Sequence, residues 1–169
     1  MAQVKPLVHS SGDIAVIPTG DTLDPAILGT GTRDGTKFLR DDGTYQAVAG
    51  GSQDRVIGVT IDGGSSVVTT GIKGYIVAGF TGTINGWDVV ADAAGSIVID
   101  VWKVAAGSVP TVANTITGSE KPTLSSQQIN SDVTLTTWTT SVVKGEVLGF
   151  NVDSASVVKK VTLTLRLTA

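Results

Sequence analysis

The sequence predicts an all-β protein whose main domain is an antiparallel β-sandwich of the jelly-roll kind. Short segments with strand signals recur from residue 55 onward, and no helical period separates them. Gly, with 21 residues, and abundant Thr and Val suit strands that are joined by tight turns. Only 16% of the residues are charged, whereas about 25% is typical of soluble globular proteins.

The chain before residue 53 is predicted to be extended. Residues 1–27 hold two short apolar stretches, and three prolines limit these to isolated or edge strands. Residues 28–52 are rich in Gly, Thr and Asp and end in the small residues of a linker. We therefore divide the chain into an extended anchor (1–27), a neck with its linker (28–52) and a β domain (53–169).

The neck contains the sequence LGTGTRDGTKFLRDDGTY at residues 28–45. After Leu28, only Phe38, Leu39 and Tyr45 interrupt the turn-forming residues, which is too little apolar surface to close a core within one chain. We therefore predict that these three side chains contact their counterparts in other copies. The Asp-Gly pairs indicate β-turns rather than a calcium loop, because the alternating oxygen ligands and final Glu of an EF-hand are missing.

Nine strands are predicted in the β domain, separated in most cases by Gly- or Asp-containing turns, among them a turn at Ala94-Gly95 between the fourth and fifth strands. Alternation is clearest in the last strand, where Val161, Leu163, Leu165 and Leu167 take every second position. A period of two means that one face is buried and the other faces water. The predicted strands are 55–62, 66–70, 73–80, 82–91, 96–105, 111–117, 132–138, 145–153 and 157–168.

Two parts of the sequence resemble bacteriophage proteins. The motif GTRDGTKFLRDDGTY is similar to neck and collar segments of tail-fibre, spike and head-fibre proteins. The stretch from Gly86 to Lys103, Trp138-Thr-Thr, the stretch from Gly145 to Ala155 and the final strand resemble a carboxy-terminal domain of phage virion proteins. The resemblance implies a homotrimer whose amino-terminal segment is held by other virion proteins.

The three tryptophans are the candidate contact residues of the β domain. Trp87, Trp102 and Trp138 are placed in strands, where their side chains belong either to the core or a subunit interface, or to a surface that stacks on sugar rings. Asp100 lies between Ile99 and Val101 and is predicted to face outward. If its face is buried, it needs a partner, for which Lys103 and Arg166 are candidates.

The composition argues against an enzyme. The chain has no cysteine and one histidine, His9, so a zinc site or a Ser-His-Asp triad cannot form within one chain. The carboxylates Asp100, Asp153, Glu120 and Glu146 show no spacing that indicates a glycosidase pair. We predict no catalytic residue, no cofactor and no metal, although three His9 copies could meet on a trimer axis.

The charge and hydropathy of the chain argue against nucleic acid and membranes as binding partners. The net charge is −3 and basic residues are scattered, so nucleic acid is not expected. No signal peptide or membrane-spanning segment is present, which suits a virion protein that is made in the bacterial cytoplasm.

Together with the resemblance, the sequence predicts a non-enzymatic phage structural or adhesion protein, a fibre, spike or decoration subunit. Its β domain either contacts a host surface glycan or protein or only projects from the particle. The alternatives are a carbohydrate-binding module without catalytic activity and, ranked last, a hydrolytic tail spike. The neck is expected to supply the trimer contact; otherwise a low-charge sheet with outward Thr and Val could itself pack on copies.

Overall fold

A computed structural model describes residues 37–39, 45–47 and 53–169. The chain divides into two units, Met1–Gly51 and Ser52–Ala169. The predicted anchor, His9 and most of the predicted neck lie outside the described residues. The two units are therefore described separately.

In the first unit, strand β1 (Lys37–Leu39) pairs antiparallel with strand β2 (Tyr45–Ala47). The backbone of Leu39 lies opposite that of Tyr45, and Phe38 lies opposite Gln46. All three predicted neck-contact residues thus belong to one two-stranded sheet. Their contacts with other copies stay a prediction.

The second unit is a single antiparallel sheet that curls on itself, which confirms the all-β prediction. It contains seven strands and one short 3₁₀ turn at Val112–Asn114. The strands are β3 (Asp54–Asp62), β4 (Gly71–Val77), β5 (Gly82–Val104), β6 (Thr123–Asp132), β7 (Ser141–Val142), β8 (Val147–Ser156) and β9 (Lys160–Thr168).

Strand β5 organises the sheet, whose main order is β3-β9-β5-β8-β4. Residues 83–91 of β5 pair with β9, and residues 96–104 pair with β8. Because β8 leads directly into β9, these two strands lie end to end along one edge of β5. Strand β6 pairs with both parts of β5 along the opposite edge.

The predicted turn at Ala94-Gly95 is wrong, since β5 runs through it without interruption. A Cβ atom on Gly95 would lie 2.7 Å from the carbonyl oxygen of Ser156 and 2.9 Å from Val158 Cγ2. Gly95 therefore allows another part of the backbone to approach β5 closely, and it does not reverse the chain. It lets the turn between β8 and β9 pass against the middle of β5.

The core lies on one face of the curled sheet. The predicted alternation in β9 is confirmed, because Val161, Leu163, Leu165 and Leu167 are almost completely buried. Most of their register partners on β3 and β5 are buried as well: Ile57, Ile61, Ile84, Trp87, Val89 and Ala91. The other part of the core includes Ile97, Ile99, Val101, Leu148, Phe150 and Val152.

Three of the predicted strands are wrong. Residues 66–70 form no strand, and residues 111–117 form the 3₁₀ turn followed by a single bridge from Thr115 to Trp102. The predicted strand 132–138 begins where β6 ends. Strand β6, with the sequence TLSSQQINSD, is polar and lacks alternation, because only Leu124 on it is buried.

Val157, in the turn between β8 and β9, has a φ of 74°. A β-branched residue in this left-handed region is strained by roughly 1–2 kcal/mol. Its side chain is 55% exposed, so a substitution removes little packing. We expect Val157→Asn to raise the free energy of unfolding by about 1 kcal/mol, because Asn adopts this conformation more readily.

Urea denaturation measures this change. Val143→Asn is the matched control, because Val143 is a similarly exposed valine without a positive φ. It should alter stability by less than about 0.5 kcal/mol. Equal effects of the two substitutions would show that backbone strain at Val157 is not the cause.

Candidate interaction surfaces

The side of the sheet opposite the core is open over β3, β9, the first part of β5, and β6. We call this surface the threonine–valine face. One row across it joins Thr60, Thr162, Val90 and Ile129 through the strand register. The members of the face are Val56, Gly58, Thr60, Val90, Ile129, Thr162 and Thr164.

Three aliphatic side chains of this face are open to solvent: Val56 is 64% exposed, Val90 46% and Ile129 65%. Between them lie the hydroxyl groups, of which Thr60 Oγ1 and Thr162 Oγ1 share a hydrogen bond of 3.0 Å. The face is therefore rich in methyl groups and carries small side chains along its centre.

Two ion pairs form on this side of the sheet, and the pair of Arg166 and Asp88 lies inside the face, where Asp88 is the register partner of Thr164. Lys160 Nζ lies 2.8 Å from Asp62 Oδ2, and Arg166 Nε lies 2.9 Å from Asp88 Oδ2. One cation thus balances one anion in each pair. Exposed ion pairs add little stability, but these two pairs contribute no net charge to the surface.

A shallow depression of about 500 Å³ extends the face at one end. It lies near the point where the chain enters the β domain, since Gln53 N donates to the carbonyl oxygen of Ala169 at 3.1 Å. Val133, also strongly exposed, adds a further apolar side chain. The depression is lined by Asp54, Arg55, Val56, Asn85, Val133, Arg166 and Leu167.

A second apolar surface, the loop-side patch, lies over β4 and β8. A Cβ atom on Gly149 would lie 3.1 Å from Pro110 Cγ and 3.3 Å from both Ile72 Cδ1 and Tyr75 Cδ1. The missing side chain lets these three residues converge. We define the patch as Ile72, Tyr75, Val77, Val109 and Pro110, of which Pro110 is buried and the others are exposed.

Asp100 is buried, with only 1% of its surface exposed, so the predicted outward orientation is wrong. Its Oδ1 accepts hydrogen bonds from Thr115 Oγ1 at 2.6 Å and Thr117 Oγ1 at 2.8 Å. Its Oδ2 accepts one from Trp102 Nε1 at 3.0 Å and lies 3.2 Å from Lys121 Nζ. This carboxylate therefore attaches the segment after the 3₁₀ turn to the middle of β5.

The ion-pair partner of Asp100 is neither of the predicted residues. Lys103 pairs with Glu146 at 3.0 Å, and Arg166 pairs with Asp88. Lys121 fills the role instead and also binds Asp153 Oδ2 at 2.7 Å. No periodicity relates Lys121 to Asp100, because Lys121 lies in the connection that precedes β6.

The Asp100 cluster holds both of its charged groups in their ionised forms. Burial raises the pKa of Asp100, but the hydrogen bonds from Thr115, Thr117, Trp102 and Lys121 outweigh it, so the pKa lies below its usual value. The pKa of Lys121 is raised, first by its hydrogen bond to Asp153 and then by Asp100, against an opposing effect of desolvation.

Stability is expected to fall in acid. Three further carboxyl groups have lowered pKa values because they accept hydrogen bonds. Asp62 accepts from the Lys160 side chain, Asp92 from the Lys160 backbone N–H, and Glu120 from the Thr136 hydroxyl. Each lowered pKa stabilises the fold above the unfolded carboxyl pKa, about 4. That stabilisation is lost as the pH falls through the folded values.

Urea denaturation of the full chain between about pH 6 and pH 2 tests this dependence. The free energy of unfolding should be nearly constant at the upper end and decline below about pH 4. Asp100→Asn should make the decline shallower, because one contributing carboxylate is gone. A free energy that stays unchanged down to pH 2 would contradict the assignment of these carboxylates.

Two of the predicted contact tryptophans pack in the core. Trp87 and Trp138 are buried, and Trp138 Nε1 donates to the carbonyl oxygen of Glu120 at 2.9 Å. Trp138 lies after β6, outside the strands, which corrects its predicted placement. Trp102 is partly buried and donates to Asp100.

The exposed aromatic residue of the loop-side patch is Tyr75, which is 48% exposed. No pattern in the sequence indicates it as a contact residue. Tyr75 lies in GIKGYIV, a strand whose burial barely alternates, so no periodic signal distinguishes its outward position.

The four candidate carboxylates are all engaged as hydrogen-bond acceptors. Asp100 and Asp153 meet at Lys121. Glu120 accepts from Thr136 and Thr137, and Glu146 from Lys103 and the Val143 backbone. Within the described ranges 37–39, 45–47 and 53–169, no group of three or more His, Asp or Glu side chains is placed to hold a metal ion.

Comparisons with known proteins identify no relative. No protein-family model, no curated protein and no solved structure matches this chain. In the part of the chain that the structure describes, no helix is long and apolar enough to cross a membrane.

Proposed function

We propose that this chain is a non-enzymatic structural or adhesion protein of a bacteriophage virion, a fibre, spike or decoration subunit. The observation that carries the proposal is the threonine–valine face. It is a broad sheet surface with exposed aliphatic groups and paired charges. Such a surface suits contact with another macromolecule better than chemistry on a small substrate. The neck motif at residues 28–45 supports the same assignment.

The proposed particle component is a homotrimer. Its β domain would be a jelly-roll sandwich that projects as a knob, while the anchor binds another virion protein. Three knobs on one assembly raise the effective concentration of each contact with a host receptor. Weak individual binding to a surface glycan or protein then suffices for attachment.

Detection on particles tests this function. Phage particles purified from a strain that produces the chain should contain it by mass spectrometry, and antibodies against the β domain should label them in electron micrographs. Particles of a deletion strain are the control and should lack the label. Finding the protein in the lysate but never on particles would refute the proposal.

Tyr75 favours one alternative, a carbohydrate-binding module. An exposed aromatic ring is the platform on which sugar rings stack, and Asn151 and Asp153 lie on the neighbouring strand. A glycan array should then detect binding that Tyr75→Ala removes and Val112→Ala retains. Absence of any glycan signal from the wild-type protein would exclude this alternative.

A further inference from the structure

We infer that the threonine–valine face is the surface through which β domains of separate copies contact one another. The inference rests on the proposed function in that a virion fibre works as an assembly, but it is argued from the face itself. It places the contact between copies in the β domain and not in the neck alone.

The shape of the face permits close packing. The four-strand row of Thr60, Thr162, Val90 and Ile129 has no long side chain. The next row has the small residues Gly58 and Thr164 before it reaches Asp88, which pairs with Arg166. Packed sheets approach to about 10 Å when small and branched side chains interdigitate. A second sheet could therefore lie flat on this one.

The electrostatics of the face lower the cost of removing it from water. Desolvating an unpaired charge is the main obstacle to burying a polar surface. Here Lys160 and Asp62, and Arg166 and Asp88, already neutralise each other. The carboxylate of Asp92 accepts hydrogen bonds from the backbone N–H groups of Lys159 and Lys160.

The same chemistry identifies the occupant as a second copy. Where copies of one face meet on a twofold or threefold axis, equivalent groups lie beside one another, so the face must be complementary to itself. Threonine hydroxyls both donate and accept hydrogen bonds, so an identical row satisfies them, and balanced ion pairs do not repel their own kind. The exposed methyl groups of Val56, Val90 and Ile129 would be buried against equivalent groups. A strongly charged partner would find no complementary field on this face.

The loop-side patch fits this role less well. It is built from a loop and the edge strand β4, and the Lys121–Asp153 pair lies on the strand beside it. Its exposed residues therefore supply a matched control. Val77 of the patch and Val112 of the 3₁₀ turn lie outside the threonine–valine face and are as exposed as its valine and isoleucine.

The test introduces charge into each surface of the full-length chain. Val90→Glu combined with Ile129→Glu places like charges beside each other wherever copies of the face meet on a symmetry axis, and should weaken association by roughly a hundredfold or more. Val77→Glu combined with Val112→Glu should leave association unchanged. Sedimentation velocity over a concentration series measures both, and circular dichroism confirms that each variant is folded.

A cross-linking experiment keeps the test independent of the folding of the charged variant. The chain has no cysteine, so Ile129→Cys carries a single thiol. A short bis-maleimide should join copies of Ile129→Cys efficiently and copies of Val112→Cys several times less efficiently. Equal cross-linking at both positions, or an unaltered assembly in Val90→Glu/Ile129→Glu, would overturn the inference.

These outcomes separate the inference from the proposed function. If the protein is on particles but the charged variant assembles normally, the contact lies elsewhere and only the inference fails. If the variant dissociates but no protein is found on particles, the face joins copies and the virion function fails.

Discussion

Asp100→Ala is expected to lower the free energy of unfolding by about 3 kcal/mol. The substitution leaves Thr115, Thr117 and Trp102 without their common acceptor in a buried site. Lys121 keeps Asp153 as an ion-pair partner. The decrease in unfolding free energy is therefore at the lower end of the range for breaking a buried ion pair. The loss should also release the segment after the 3₁₀ turn from β5.

Urea denaturation of three variants isolates the role of the buried carboxylate. Asp100→Asn keeps the shape and part of the hydrogen bonding, so it should fall between wild type and Asp100→Ala. Asp54→Ala, an exposed aspartate on β3, should change stability by less than about 0.5 kcal/mol. If Asp100→Ala were as stable as Asp54→Ala, the buried cluster would not hold the connection in place.

Phe150→Ala is expected to cost about 4 kcal/mol. Phe150 is completely buried on β8, opposite Val101 of β5 and Gly74 of β4. Its removal leaves a cavity in the centre of the sheet that its β-branched neighbours, which are stiff at χ1, fill poorly.

Tyr75→Ala provides the aromatic control on the adjacent strand. Because its ring is about half exposed, the expected cost is about 1 kcal/mol. Comparable losses from the two substitutions would mean that the core is not centred on the face that carries Phe150. Thermal and chemical denaturation measure both variants.

The last strand shows what the sequence could predict. Four aliphatic residues of β9 alternate with polar ones, and all four are buried. A sheet with one dry face imposes this period directly, so the all-β class and the antiparallel arrangement followed from it. The paired strand β3 was located within one residue, because Ile57 and Ile61 carry the same alternation.

Strand β5 shows where local signals mislead. Ala94-Gly95 has the composition of a turn, but β8 and β9 continue the pairing past it, and tertiary contacts decide its conformation. Strand β6 was not predicted because it is polar along its length and has no local strand signal. It forms because its backbone pairs with the free edge of β5.

The buried ion pair depended on contacts between residues far apart in the sequence. The sequence established that a buried Asp100 would require a partner, but Lys121 comes from a connection that no pattern relates to β5. The exposed surfaces follow the same rule. Outward Thr and Val were predicted, as the alternative to the neck, to form a packing surface between copies. The exposed position of Tyr75 depends on its pairing with Gly149, which the sequence does not indicate.

The mass of the wild-type chain in solution tests the account most directly, because the proposed function depends on identical copies that associate. Light scattering on the full-length protein should give about three times the 17.2 kDa of one chain. A mass of one chain at micromolar and higher concentrations would contradict the account.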